Sequence, residues 1–367
     1  MEIARLGIVG AGTMGSGIAA NAVAHGIEVR LFDIDDAAIE RAGRFVRGFL
    51  ARQAEKGRMS GGEAEAAAAR LRAVRRLEDL AAVDLVIEAV FEDFALKAEL
   101  FERLSPLLGE ETLIATNTSC LRVTDLQRHV RVPGRFLGLH YFSPAQVNPV
   151  VEVVSGAHTD ERALERALGF LARTGKLALR CRDARGFAIN RFFCPYTNEA
   201  ARALDEGLGS TGEIDAVARE VFGAAAGPFF VMNIIKPRIN LHAIRNLEPL
   251  GPFYAPAAAM IEHGEADRPF AIDEPGEIPP ARRAAIADRL RLGCFLPVLE
   301  ALDEEVAEPE VFDLGAREAL KFRNPPCALM DDLGREEVAR ILRPALERYG
   351  IAPPRALARV GRLSAGS

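Results

Sequence analysis

The segment Gly10-Ala11-Gly12-Thr13-Met14-Gly15 restricts the fold of this chain more than any other. An apolar run, Leu6–Val9, leads into it and an amphipathic stretch, Met14–His25, leads out. Between a strand and a helix, glycines at this spacing have distinct uses. Gly10 permits a sharp turn, Gly12 lets backbone approach a pyrophosphate, and Gly15 lets the helix pack closely on the strand. The helix start at Thr13 and Met14 would present free N–H groups and the positive dipole end to phosphate. Asp33 lies 18 residues beyond Gly15, closing the apolar run Glu28–Phe32. A carboxylate there accepts both hydroxyls of a ribose and repels a 2′-phosphate, and no Arg follows it closely, so the pattern selects NAD over NADP.

The remainder of the first half continues the alternation. Strand-like runs at Leu85–Glu88, Leu113–Thr116 and Phe136–His140 are separated by helical stretches such as Phe94–Leu108. This predicts an α/β doubly wound sheet of the Rossmann type over residues 1–185. A longer segment, about 39–77, is rich in Ala, Arg and Glu and reads as a helical hairpin turning at Gly57–Gly62. Beyond Cys181-Arg182-Asp183-Ala184-Arg185-Gly186 the strand signal stops, so 186–367 is expected to be an all-α domain. That half repeats itself at one offset of 98 residues. Leu204-Asp205-Glu206 returns as Leu302-Asp303-Glu304, Ile214-Asp215 as Phe312-Asp313, Ala218-Arg219-Glu220 as Ala316-Arg317-Glu318, Pro228 as Pro326 and Met232 as Met330. We read two related copies, about 186–283 and 284–367, in which each covers the apolar face of the other.

Composition excludes several function classes. The net charge of −6 gives no global attraction for nucleic acid or an anionic membrane. No apolar run reaches the length of a membrane helix. The five cysteines have no metal-ligand spacing and read as thiols of a reducing compartment, which together with a strand starting close to Met1 implies a cytoplasmic location and no metal site.

His140 and Glu152, twelve positions apart on consecutive strand-like runs, carry the chemistry. An imidazole titrates near neutral pH, and a carboxylate on one ring nitrogen orients the other as a base. Beside a dinucleotide fold, this pair reads as oxidation of an alcohol to a ketone.

From Asp84 to Asn190 the sequence resembles the L-3-hydroxyacyl-CoA dehydrogenase family, closest to the dehydrogenase portion of multifunctional fatty-acid oxidation enzymes. The matching residues are Asp84-Leu85-Val86-Ile87-Glu88-Ala89-Val90, Glu92, Lys97, Thr116-Asn117-Thr118-Ser119, Gly138-Leu139-His140-Tyr141-Phe142-Ser143-Pro144, Pro149-Val150-Val151-Glu152-Val153, Gly186-Phe187 and Asn190-Arg191. The resemblance implies a C-terminal domain like that of 6-phosphogluconate dehydrogenase, and NAD-dependent, reversible oxidation of L-3-hydroxyacyl-CoA as part of fatty-acid β-oxidation. His140 would be the base and Glu152 its orienting partner, with Ser119 and Asn190 hydrogen-bonding the reacting oxygen or the thioester carbonyl. It further implies that Glu92, Lys97 and Asn117 contact the nicotinamide ribose side of NAD. The basic cluster Arg52, Lys56 and Arg58 would grip the CoA phosphates, Lys56 foremost.

Cys120, Arg185, Asn233 and Lys236 depart from the family pattern, and the stretch 236–277 carries no motif. Two alternatives stay open at this point: a dehydrogenase of a small hydroxy acid without CoA, and a catalytically silent NAD-binding protein. The expected assembly is a monomer or a homodimer.

Overall fold

The computed structural model describes residues 2–364, and the chain divides after Asp183 into two compact units. In the first unit the strands are β1 (Arg5–Val9), β2 (Glu28–Phe32), β3 (Leu71–Val74), β4 (Leu85–Glu88), β5 (Leu113–Thr116), β6 (Phe136–Tyr141), β7 (Val150–Ser155) and β8 (Leu177–Arg182). They form one sheet in the order β3-β2-β1-β4-β5-β6-β7-β8. The chain reverses its direction of growth between β1 and β4, which opens a crevice at the strand ends where nucleotides bind in such sheets. The helices of this unit are α1 (Thr13–Ala24), α2 (Asp36–Glu55), α3 (Gly61–Ala69), α4 (Phe94–Leu104), the single turn α5 (Val123–Leu126) and α6 (Glu161–Arg173).

Local sequence accounts for these elements. All four side chains of β4 are buried, as expected for a central strand covered on both faces, whereas β8 alternates between buried and exposed positions. Helix α2 is capped by Asp35, whose side chain accepts from Ala37 N, and α3 by a reciprocal pair between Ser60 and Glu63. The expected helical segment to residue 77 stops short: the chain leaves α3 at Ala69 and adds β3, parallel to β2, at the sheet edge. Leu71-Arg72-Ala73-Val74 buries only Val74, so it lacks the apolar signature of an inner strand.

One pair of neighbours breaks the parallel pattern. The strands β6 and β7 run antiparallel, joined by the short loop 142–149, with His140 directly opposite Glu152. Directly opposed residues project on the same face with Cβ atoms about 5 Å apart, so the register alone brings ring and carboxylate together.

The second unit is helical: α7 (Ile189–Asp205), α8 (Thr211–Phe222), α9 (Pro228–Ile235), α10 (Pro237–Arg245), α11 (Ala258–Glu265), α12 (Pro280–Asp303), α13 (Pro309–Glu318), α14 (Pro326–Leu333) and α15 (Arg335–Tyr349). The 98-residue offset persists at atomic detail. Asp215 accepts from Phe229 N and Phe230 N at 2.8 and 3.1 Å, and Asp313 accepts from Cys327 N and Ala328 N at 2.8 and 3.0 Å. Left-handed backbone falls at matching positions too: Gly207 and Glu305, Gly223 and Lys321, Lys236 and Gly334. The backbone of the copies thus matches even where only one copy has a glycine. The stretch without a motif supplies α10, α11 and an extended strap. Asn233, one of the departures, exchanges two hydrogen bonds with the backbone of Phe270 on that strap, and Asp273 bonds Ser210, Thr211 and Gly212 N at the start of α8. Among the described residues, no helix is long and apolar enough to cross a membrane.

Candidate active site

The dinucleotide turn has the shape its glycines imply. Gly10 has φ +108°, and a Cβ there would lie 2.5 Å from the Ala89 carbonyl oxygen. A Cβ on Gly15 would lie 1.9 Å from the Gly10 carbonyl oxygen, whereas one on Gly12 would meet nothing within 4 Å. Gly10 and Gly15 are therefore set by packing, and Gly12 faces open space. Helix α1 begins here with no side-chain cap and no acidic residue in its first turn, leaving its N–H groups and dipole to an anion. Asp33 pins the turn by accepting from Ala11 N at 2.7 Å and from Asp35 N at 2.9 Å. Each carboxylate oxygen still has acceptor capacity. Beside it Ile34 is 95% exposed, an apolar side chain laid bare at the mouth of the turn.

Farther along the sheet, His140 on β6 has both ring nitrogens engaged. Nδ1 lies 2.6 Å from Glu152 Oε2 and Nε2 lies 2.9 Å from Ser119 Oγ. Glu152 is fully buried and His140 nearly so. A carboxylate can only accept, so Nδ1 carries a proton, and in the neutral ring the Nε2 lone pair points toward Ser119.

The loop bearing Ser119 is held from beneath. Glu92 Oε1 accepts from Ser119 N at 2.8 Å, from Cys120 N at 3.0 Å and from the Thr118 hydroxyl. Its other oxygen is 3.3 Å from Lys97 Nζ, which also binds Glu88 at 2.6 Å. Glu88 in turn accepts from Thr116 Oγ1 and Val90 N, both at 2.7 Å. Asn117 reaches across to β6 and accepts from Tyr141 N at 2.9 Å.

Burial works to raise both carboxyl groups of this cluster. At Glu88 burial prevails over Lys97 and the hydrogen bonds, and the group is pushed up. At Glu92 the burial effect is outweighed by Lys97 and by the donors from Thr118, Ser119 and Cys120, and the group is held below its usual range.

Two family models match the chain: the NAD binding domain of 3-hydroxyacyl-CoA dehydrogenase over residues 5–184, and the C-terminal domain of the same family over residues 186–271. The (S)-3-hydroxybutyryl-CoA dehydrogenase of Ralstonia eutropha is 34% identical, with a TM-score of 0.70 over 72% of this chain and 94% of that one. The chain belongs to the 3-hydroxyacyl-CoA dehydrogenase family. The 3-hydroxyadipyl-CoA dehydrogenase of Escherichia coli K12 is 36% identical over 240 residues, 65% of this chain and half the length of that relative. A 3-hydroxybutyryl-CoA dehydrogenase structure from the same organism covers the whole of both chains with a TM-score of 0.87 at 24% identity, a likeness of fold that includes the second helical copy.

Within this family member, the structure brings Ser119, His140, Glu152, Glu92, Lys97 and Asn117 into one hydrogen-bonded neighbourhood. Lys97 differs from the expectation in one respect. It is 1% exposed and its ammonium is engaged by two carboxylates, Glu88 and Glu92. Asn190 is the second residue of α7 in the helical unit. Arg52, Lys56 and Arg58 are all exposed at the C-terminal end of α2 and the turn after it. Sequence reasoning gave no role to Glu88 or Thr116. A carboxylate ending the all-apolar run of β4 was the available signal. It likewise passed over Lys176, a buried lysine whose ammonium donates to the carbonyls of Ala145 and Asn148 at 2.7 Å each and so ties down the loop between β6 and β7.

Proposed function

We propose that this chain catalyses the reversible, NAD-dependent oxidation of L-3-hydroxyacyl-CoA to 3-ketoacyl-CoA with His140 as general base. The observation that carries the reading is the Glu152–His140–Ser119 line. It presents one unprotonated ring nitrogen beside a hydroxyl, so a substrate hydroxyl placed there has an acceptor for its proton. NAD, when bound, accepts the hydride from C3 of the substrate. Glu152 stabilises the imidazolium that forms, and Ser119 orients the substrate oxygen. Asn190 supplies a second hydrogen bond to the oxygen or to the thioester carbonyl. In the reverse reduction His140 returns the proton.

Residues fitting the dinucleotide are Gly10, Gly12, Thr13, Met14 and Gly15 for the pyrophosphate and Asp33 for the adenosine ribose. Ile34 offers a face for the adenine ring, and Glu92 and Asn117 flank the nicotinamide ribose, with Lys97 holding Glu92 in place. Arg52, Lys56 and Arg58 form the positive site for the CoA phosphates. Cys294 and Cys327 are buried free thiols, which supports a reducing compartment and a cytoplasmic location. The second helical copy covers the apolar face of the first, which supports a monomer.

The test is steady-state reduction of acetoacetyl-CoA against a panel of free 3-keto and 2-keto acids, followed by NADH absorbance. Turnover of the CoA ester with poor use of the free acids is expected. Turnover of a free acid alone would replace this reading with a dehydrogenase of small hydroxy acids, and a folded, NADH-binding but inactive protein would replace it with a silent nucleotide-binding role.

A further inference from the structure

The duplicated helical unit contains a broken symmetry. Where equivalent positions of the two copies meet, a Cβ on Gly293 would lie 3.1 Å from the carbonyl oxygen of Pro195, its counterpart 98 residues earlier. Around this point the copies exchange contacts reciprocally, as the halves of a two-fold dimer do. Arg191 of the first copy pairs with Glu304 of the second at 2.5 Å, and Arg289 of the second pairs with Glu206 of the first at 2.5 Å. Both members of each pair are equivalent by the same offset.

The two pairs nevertheless anchor different things. Arg289 sits inside the long helix α12, with regular helix on both sides. Arg191 is the third residue of α7, directly after Asn190 in the chain. The entry to α7 is tight. Gly186 has φ +78° and Phe187 φ +47°, and a Cβ on Gly186 would lie 2.9 Å from Arg191 N. The Arg191 side chain is 1% exposed, packs 5.7 Å from the Tyr254 ring centroid, and spends Nη2 on Glu304 while Nε and Nη1 find no partner. Among the described residues, Glu304 is the carboxylate bonded to the buried cation in the first turn of α7. At the residue before each arginine, the first copy carries Asn190 and the second carries Asp288. Only one copy places a chemically useful amide next to its cross-copy arginine.

We propose that Glu304 is a positioning residue for the reaction: through Arg191 the second copy sets the first turn of α7 and with it Asn190. This rests on the role given to Asn190 above. The second copy then does more than cover an apolar face, because its ion pair holds the buried arginine in the first turn of α7.

The symmetry supplies the control. Glu304→Gln and Glu206→Gln make the same isosteric change in equivalent pairs, and Glu206 touches Arg348 as well as Arg289, so its loss costs at least as many contacts. Measured with acetoacetyl-CoA and NADH, Glu304→Gln should lower kcat about tenfold with KM for NADH within about twofold, since small displacements of positioning groups act on the transition state. Glu206→Gln should leave kcat within about twofold of the unsubstituted protein. Arg191→Lys, which keeps the charge but loses the planar fork, should follow Glu304→Gln. Equal kcat in the two glutamine variants would overturn the proposal. Asn190→Ala separates the two levels: an unchanged kcat there would remove the reading of Asn190 and the proposal with it, whereas a large loss there beside equal glutamine variants would remove the proposal alone.

Discussion

Replacing Glu152 by glutamine isolates the charge of the carboxylate from its shape. Glu152 Oε2 sits 2.6 Å from His140 Nδ1, and the side chain is fully buried. An amide oxygen in the same place still accepts the Nδ1 proton, so ring orientation and tautomer are retained. What is lost is the attraction between a carboxylate and the imidazolium that develops as the substrate proton moves. For unit charges about 4 Å apart at an effective dielectric of about 20, that attraction is about 4 kcal/mol. Proton transfer is incomplete at the transition state, so about 3 kcal/mol of it bears on the barrier, or about 10² in rate. Glu152→Gln should therefore lower kcat for oxidation of L-3-hydroxybutyryl-CoA by about 10²–10³ while leaving NADH affinity unchanged, because no surface of Glu152 is open to the cofactor. Rapid-quench or stopped-flow single turnovers, with NADH binding read by fluorescence, measure both quantities. A loss below about tenfold in folded protein would refute the idea that the carboxylate stabilises a protonated His140.

Three further outcomes follow from the packing. The Tyr141 hydroxyl is buried without a hydrogen-bond partner, so Tyr141→Phe should leave stability unchanged or raise it by about 1 kcal/mol in denaturant titration; a clear loss would mean that a donor or acceptor meets it in solution. Lys236 has φ 92° and ψ 134°, where its counterpart Gly334 has φ 80° and ψ 157°, so Lys236→Gly should stabilise the fold by about 1 kcal/mol, and a lower melting temperature would count against strain at this position. Burial pulls the Lys176 ammonium down to about 8 from an ordinary 10.5. Below about pH 8 the folded protein carries the penalty of a buried charge, and as pH rises toward about 10.5 the unfolded chain alone keeps the proton, so stability rises across that window. The melting temperature of the unsubstituted protein relative to Lys176→Met should accordingly increase between about pH 7 and about pH 10, and a flat or falling difference would contradict the assignment.

Much of the site is readable in the sequence because its decisive relations are local. Gly10, Gly12 and Gly15 sit within one turn. His140 and Glu152 are placed by a hairpin-like connection, in which residues equally distant from the loop centre must face each other. The repeated helical unit is legible for a related reason: a constant offset needs no knowledge of packing. Backbone that is left-handed at Glu305 and Lys321, where the other copy has Gly207 and Gly223, shows the copies sharing geometry where their residues differ.

Tertiary structure alone decided the rest. No spacing links Glu88, Lys97, Thr116 and Ser119, yet with Glu92 their hydrogen bonds form a continuous support under the loop bearing Ser119. Whether Lys97 meets a ligand or a carboxylate depends on what encloses it, and enclosure is a property of packed strands and helices. The edge strand β3 was hidden for a similar cause, since it buries too little to leave an apolar signature. The pairing of Arg191 with Glu304 spans 113 residues and crosses from one copy to the other. A sequence specifies local geometry through periodicity and special backbone residues, but the energy of a buried charge is set by neighbours that only the folded chain brings within reach.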